Sequence, residues 1–337
     1  MLPLPIFDYH RPRTLDEALA LLASLGPKAQ ILAGGTDLLP NMKQGLFEPE
    51  HVVSIARLEE LRGISLDSGA LLIGAGMKLA EIADSLLAQR LAPALAEAAG
   101  AVGGPHHRTM GTLGGNICLD TRCRYYNQTY FWRKALGYCL KKDGTVCHVV
   151  KGGAKCVAAA SNDSAPALIA LDAEIRILGP GGERRVPARD FYTADGIKNT
   201  VLEPGEIVVR VAVPIVAGRR SAFEKLRKRG AIDFPLLSVA ARFDVGPDGG
   251  SAPRPPGAPG HLVAADLVVS ALGARPRRVR AAAKVGPGTS ADRLAETLAQ
   301  AAFAECKPLT NLDDEAEWRR EMVPVVVEKA VRRALGG

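Results

Sequence analysis

Apolar and polar positions divide the chain into short alternating helical and strand-like segments. Thr14 and Glu17 stand three residues apart, as in a capping box, and the apolar run 18–25 continues from them as a helix. Short apolar runs at 30–33, 52–55 and 71–75 read as strands. Two helical patterns, 79–88 and 91–101, stop at Gly103, Gly104 and Pro105. An apolar stretch at 167–178 ends in a strand at 174–178, a turn follows at 179–182, and 206–214 alternates as a further strand. Beyond Gly218 come strands at 236–243 and 265–272 and a helix at 291–305 beginning near Ser290. A last helix, 315–335, is expected to break at Pro324. The proline- and glycine-rich segment 246–260 reads as a mobile connection. The pattern is mixed α and β, with a boundary near Gly218 separating units 1–217 and 218–337.

The 337 residues, 47% of them hydrophobic, are enough for a sizeable core and more than one domain. The longest apolar runs, 267–272 and 323–327, are far short of a membrane span, and the first ten residues carry no secretory signal pattern, so a cytoplasmic protein is expected. The net charge of +7 is spread along the chain and aromatics are only 5%, which argues against a nucleic-acid surface. An acidic protein partner or a phosphate-bearing cofactor would use the same charge. The basic runs at 225–229 and 275–280 read as solvated surface.

Candidate chemistry concentrates between Gly111 and Cys156. Residues 111–118 form a glycine loop suited to wrapping backbone N–H groups around an anion. Gly34, Gly35, Thr36 and Asp37 offer a second close backbone approach after the strand at 30–33, although neither a Rossmann fingerprint nor a P-loop is present and an ordinary strand-to-helix turn reads as well. Cys123, Cys139, Cys147 and Cys156 follow a C-x15-C-x7-C-x8-C pattern, whose thiolates suit either an iron–sulfur cluster or zinc, with disulfides a weaker alternative. Cys118 is a possible replacement ligand or a small buried residue, and Cys306 reads as core. Removing 118–157 would join 116–117 to 158–159 without loss of pattern, so this segment reads as an insertion held by its own metal. Tyr125, Tyr126, Tyr130, Phe131 and Trp132 would shield that site or simply pack the insertion down. The adjacent His106 and His107 point in different directions and are not expected to share a metal.

The residues also carry a resemblance. LAGGTDL at 32–38 together with TLGGN at 112–116 resembles the paired FAD pyrophosphate loops in flavin subunits of the molybdenum hydroxylase family, which includes xanthine dehydrogenase. The resemblance implies an α+β fold, with a two-subdomain FAD-binding domain and a smaller C-terminal α/β domain. It implies that the backbone of Leu32, Ala33, Gly34, Gly35, Thr36, Asp37 and Leu38, and of Thr112, Leu113, Gly114, Gly115 and Asn116, meets the pyrophosphate. Asp163 would meet the ribose or adenine end, Lys225 would approach the cofactor, and Val102 would lie near the isoalloxazine ring. Thr109 and Met110 depart from the asparagine and arginine common there in the family. The cysteine spacing resembles the [4Fe-4S] segment of the 4-hydroxybenzoyl-CoA reductase branch, which implies Cys123, Cys139, Cys147 and Cys156 as ligands and sets Cys118 and zinc aside. The implied role is electron transfer from a ferredoxin-like donor through [4Fe-4S] and FAD toward a [2Fe-2S] subunit and a molybdenum cofactor subunit, in a dimer of heterotrimers. The expected reaction is reductive dehydroxylation of 4-hydroxybenzoyl-CoA, with no catalytic residue on this chain. Oxidation of an N-heterocycle or aldehyde by a related hydroxylase is the alternative, and a zinc-stapled binding module is the rival of a different class.

Overall fold

The computed structural model describes residues 2–246, 262–284, 290–313 and 315–336, so nearly all of the connection at 246–260 lies outside the described residues. The first sheet is small and parallel. β1 (Asp8–His10) leads through α1 (Leu15–Leu25) to β2 (Ala29–Leu32), and β3 (His51–Ser54) pairs between them. Thr14 Oγ1 accepts the N–H of Glu17 at 3.2 Å, while the Glu17 carboxylate accepts from Arg13 N at 2.7 Å, one residue ahead of the cap. The cap therefore starts the helix at Leu15, earlier than the apolar run suggests, and buries Ala18 and Leu22 against Val53, Leu58 and Leu61. Beyond β2, residues 33–37 lead into α2 (Leu38–Lys43).

A second, antiparallel sheet has the order β4 (Ile64–Asp67), β5 (Ala70–Gly74), β8 (Ile207–Pro214), β6 (Glu174–Gly179) and β7 (Gly182–Pro187). In β6 the buried Ile175 and Ile177 alternate with half-buried charge, the period of a strand packed on one face. The helix expected at 79–88 is two helices, α3 (Leu79–Ala83) and α4 (Leu86–Leu91), because the Ser85 hydroxyl accepts Ala88 N at 3.3 Å and starts a new one. α5 (Pro93–Ala101), α6 (Pro105–Met110) and α7 (Leu113–Ile117) follow, so both the histidine pair and most of the expected glycine loop lie in short helices. α8 (Tyr130–Ala135) is the insertion's helix. α9 (Ser164–Ala170) is buried throughout, and α10 (Ala188–Phe191) is a single turn.

The third sheet, β9 (Arg219–Leu226), β10 (Leu237–Val245), β11 (Leu262–Ser270) and β12 (Arg277–Arg278), is antiparallel. Alternate residues face two layers. Leu237, Val239, Ala241 and Phe243 pack with α11 (Ala291–Glu305) and α12 (Ala316–Leu335), whereas Phe223, Ala240 and Val268 join the core built on the second sheet. α12 does not break at Pro324: Val323, Val326, Val327 and Val331 are buried around it, and this packing outweighs the missing N–H. The arginine run 275–280 is at the surface as expected, with Arg275, Arg277 and Arg280 exposed, while Arg278 pairs with Asp266 and Arg277 Nη1 donates to Glu305 O at 3.0 Å.

The insertion leaves and rejoins the body through a two-way backbone bridge, Arg122 N to Ala159 O at 2.8 Å and Ala159 N to Arg122 O at 2.7 Å. Arg133 pins it to the end of α2, donating to Gly45 O at 2.9 Å. The short helix α8 has a single inward face, and Arg133 occupies it. Consequently Tyr130, Phe131 and Trp132 face outward, with Phe131 79% exposed, and only Tyr125 and Tyr126 of the expected aromatic shield turn toward the cysteines. Among the described residues no helix is long and apolar enough to cross a membrane.

Candidate functional site

Two glycine segments meet backbone to backbone. A Cβ on Gly34 would stand 2.2 Å from Met110 O and 2.8 Å from Gly111 Cα, so only glycine permits this approach. Gly35 takes a left-handed φ of 73° as the chain turns from β2 toward α2. Backbone bonds fix the second segment to the end of β5, with Leu113 N donating to Met77 O at 3.0 Å and Gly114 N to Ala75 O at 2.8 Å. Thr112 caps α7 by accepting Gly115 N at 3.1 Å, and Asn116 Oδ1 accepts Ser164 N at 3.0 Å, tying α7 to α9.

The segments border a cleft of about 580 Å³, within the range of pockets that enclose small molecules. Ala33, Gly34, Gly35, Thr36, Asp37, Leu38, Val102, Thr112, Gly115, Asn116 and Asp163 line it. Leu32, Leu113, Gly114 and Lys225 do not. Leu32 ends β2, Leu113 is wholly buried in the core, and Gly114 packs so closely on Ala75 that a Cβ would stand 2.9 Å from the alanine methyl. Lys225 stands behind Asp163, its Nζ 2.7 Å from Asp163 Oδ2 and 3.0 Å from Ala101 O, with its side chain only 3% exposed. The solvated surface expected at 225–229 is thus a buried ammonium at its first residue. The other oxygen, Asp163 Oδ1, has no hydrogen-bond partner although Asp163 is only 2% exposed. A buried carboxylate oxygen left open on a cleft wall is a ready acceptor for a ligand hydroxyl.

Burial raises the Asp163 carboxyl from 3.8 to about 6, opposed by Lys225. The folded protein therefore holds a proton there over a range in which the unfolded chain has lost it. The stabilisation is complete below pH 4 and declines as pH rises through 6. Relative to an Asp163→Asn/Lys225→Met variant, wild-type stability should fall by on the order of 2–3 kcal/mol across that window. Denaturant melts at pH 4, 5, 6 and 7 check this, and parallel curves would rule it out.

Sequence reasoning missed several residues that shape the cleft. Arg122, at the root of the insertion, pairs with Asp37 and lies 4.1 Å from the Phe234 ring centre. Burial raises Asp37, while the Arg122 guanidinium opposes the shift. Ile232, Asp233 and Phe234 close the cleft from the C-terminal part, held by Ile232 N donating to Gly103 O at 3.0 Å. These partners are far apart in the chain and leave no local pattern. Cys118 is exposed on the wall of the cleft.

Cys123, Cys139, Cys147 and Cys156 line one cavity of about 20 Å³, together with Tyr125, Tyr126 and His148. Val150 N and Ala158 N each donate to a sulfur, Cys147 Sγ and Cys156 Sγ, at 3.4 Å. Burial and the neighbouring thiols push Cys123 up to about 11. Among the described residues, no group of three or more histidine, cysteine or acidic side chains is arranged to hold a metal ion. His107 Nδ1 accepts Gly104 N at 3.3 Å.

Residues 5–216 match the family model described as the FAD-binding domain in molybdopterin dehydrogenase, a span that includes every cleft-lining residue outside the 232–234 closure. The chain belongs to this family. The molybdopterin dehydrogenase FAD domain thus accounts for the first two sheets, of three and five strands, and for both glycine segments. The chain is 30% identical to the carbon monoxide dehydrogenase medium chain of Hydrogenophaga pseudoflava over 335 residues, covering 99% of this chain and 98% of that one. It is 33% identical to the xanthine dehydrogenase FAD-binding subunit of Escherichia coli O157:H7 over 244 residues, covering 71% of this chain and 70% of that one. A solved Hydrogenophaga pseudoflava carbon monoxide dehydrogenase lacking the Mo-pyranopterin moiety superposes with a TM-score of 0.76 at 29% identity, covering 98% of both chains. The mixed α and β architecture is therefore that of the molybdenum hydroxylase flavoproteins, and the chain is an FAD subunit of an oxidoreductase of that family.

Proposed function

We propose that the cleft holds FAD, with the pyrophosphate against the backbone of 33–38 and of Thr112, Gly115 and Asn116. The observation that carries this reading is the pairing of a glycine-only backbone contact at Gly34 with the unpartnered, buried Asp163 Oδ1 on the same cleft. Asp163 would accept from the ribose or adenine end, and Val102 would lie against the isoalloxazine ring. Lys225 acts through Asp163, holding its other oxygen, and so positions the acceptor without lining the cleft. When bound, FAD would store one or two electrons and pass them between donors and acceptors of either kind.

The cysteine cavity extends the proposal. Cys123, Cys139, Cys147 and Cys156 would hold a [4Fe-4S] cluster, which relays single electrons. Four thiols with no carboxylate among them suit iron and sulfide, and the amides of Val150 and Ala158 already donate to two of the sulfurs. The walls would have to open to admit the cluster, because the cavity of about 20 Å³ holds little more than a water molecule.

In the cell this chain would join a molybdenum cofactor subunit and a [2Fe-2S] subunit in the cytoplasm. Electrons from a ferredoxin-like donor would pass through the cluster and FAD toward molybdenum, to dehydroxylate 4-hydroxybenzoyl-CoA to benzoyl-CoA. A second reading, oxidation of an aldehyde or N-heterocycle, is favoured by relatives named as aldehyde oxidoreductase and nicotinate dehydrogenase FAD subunits. The purified complex decides between them. Benzoyl-CoA formed with a reduced low-potential donor supports the first reading, and oxidation of aldehydes or N-heterocycles without such dehydroxylation supports the second.

A further inference from the structure

The carboxyl edge of the first sheet carries two recesses. One is the cleft entered by the segment after β2. The other, about 750 Å³, is lined by Tyr9, Arg11, Pro12, Arg13, Ser54, Ala56 and Arg57, which end or follow β1 and β3. In open α/β sheets ligands bind outside the carboxyl ends of parallel strands. The charge of this second recess is one-sided. Among the described residues no acidic side chain lines it, and the guanidiniums of Arg11, Arg13 and Arg57 have no ion pair and no hydrogen bond. Asp8 and Glu17, close to these arginines in the chain, are engaged elsewhere, Asp8 with His51 at 3.5 Å and Glu17 with Arg13 N at 2.7 Å.

Exposed arginines commonly find a carboxylate, and this chain pairs most of its others: Arg62, Arg122, Arg184, Arg219, Arg229 and Arg278 all have one. Three unpaired forks around one recess form a field that repels cations and fits the oxygens of a polyphosphate bidentately. Tyr9 adds a ring that is 51% exposed, and Ser54 adds a hydroxyl. The volume is that of a mononucleotide-sized pocket rather than of a single anion.

We propose that this recess binds a phosphoanhydride-bearing small molecule, with Arg11, Arg13 and Arg57 on the phosphates and Tyr9 as a stacking face for an attached base. The site is separate from the flavin cleft and does not depend on what that cleft binds.

The test is calorimetric titration of the flavin-loaded protein, in the assembly in which it is purified, with ADP and with inorganic pyrophosphate. Saturable binding of ADP without release of flavin fluorescence is expected, weakened at least about tenfold in an Arg11→Gln/Arg57→Gln variant whose FAD content is unchanged. Tyr9→Ala should lower ADP affinity to that of pyrophosphate if a nucleotide is the occupant. Equal wild-type affinity for both probes, with the same loss in the arginine variant, would assign the site to the phosphoanhydride alone. No saturable binding, binding that expels flavin, or full ADP affinity in the double arginine variant would overturn the proposal.

Discussion

Gly34→Ala should abolish stable flavin binding. The added methyl would stand 2.2 Å from Met110 O and 2.7 Å from the carbonyl carbon, both backbone atoms that no rotamer change can move. The two glycine segments must then separate, which spoils the cradle on both sides at once. A stability loss of about 1–3 kcal/mol should accompany it, the usual cost of overpacking. Gly115→Ala is the informative comparison, because its Cβ would meet only Thr112 Oγ1 at 3.1 Å, and Gly230→Ala is the control, with nothing within 4 Å. Absorbance at the flavin band per chain, after gel filtration, should rank the variants Gly230→Ala, Gly115→Ala, Gly34→Ala from full to empty. Full flavin in Gly34→Ala would mean that the contact between the segments does not organise the site.

Cys139→Ser should remove iron while leaving FAD in place. Cys139 is buried in the cysteine cavity and does not line the cleft. Its sulfur faces the other three thiols, so a hydroxyl there deprives the cluster of one soft ligand while the glycine segments are untouched. Iron and acid-labile sulfide should fall from about four each per chain to near zero, with flavin content unchanged. Equal loss of both would show that the insertion organises the flavin site. The Arg122–Asp37 pair is the contact through which it would do so, since it joins the root of the insertion to the first glycine segment.

What was legible in the sequence was mostly local. The Ser290 hydroxyl accepts Arg293 N at 3.4 Å, and α11 occupies the residues that this cap and its periodicity predict. The glycines after β2 announced a close approach, but their counterpart, the Met110 carbonyl, could not be read from them. Strand-scale patterns gave β6, β8 and β10 to within a residue or two, β6 through burial that alternates and β10 as a run buried at eight consecutive positions. The misreadings share a cause. Lys225 looked solvated because its neighbours are basic, yet β9 turns it toward a carboxylate 62 residues earlier in the chain. Pro324 looked like a stop because local chemistry cannot show that the valines beside it bury against β10 and α11. The outward aromatics of α8 follow from Arg133 taking the helix's inward face, a choice made by Gly45 O on another element. The resemblance drew Lys225 and Leu113 into the cofactor site, whereas the fold puts one behind Asp163 and the other in the core.

The central claim is that this chain is a flavin carrier with a second redox centre in its insertion. FAD, iron and acid-labile sulfide should be measured on the chain purified without oxygen, with visible spectra before and after dithionite. The account predicts one FAD per chain with about four irons and four sulfides, and bleaching of both chromophores on reduction. A colourless chain with no flavin, holding zinc in place of iron, would contradict it.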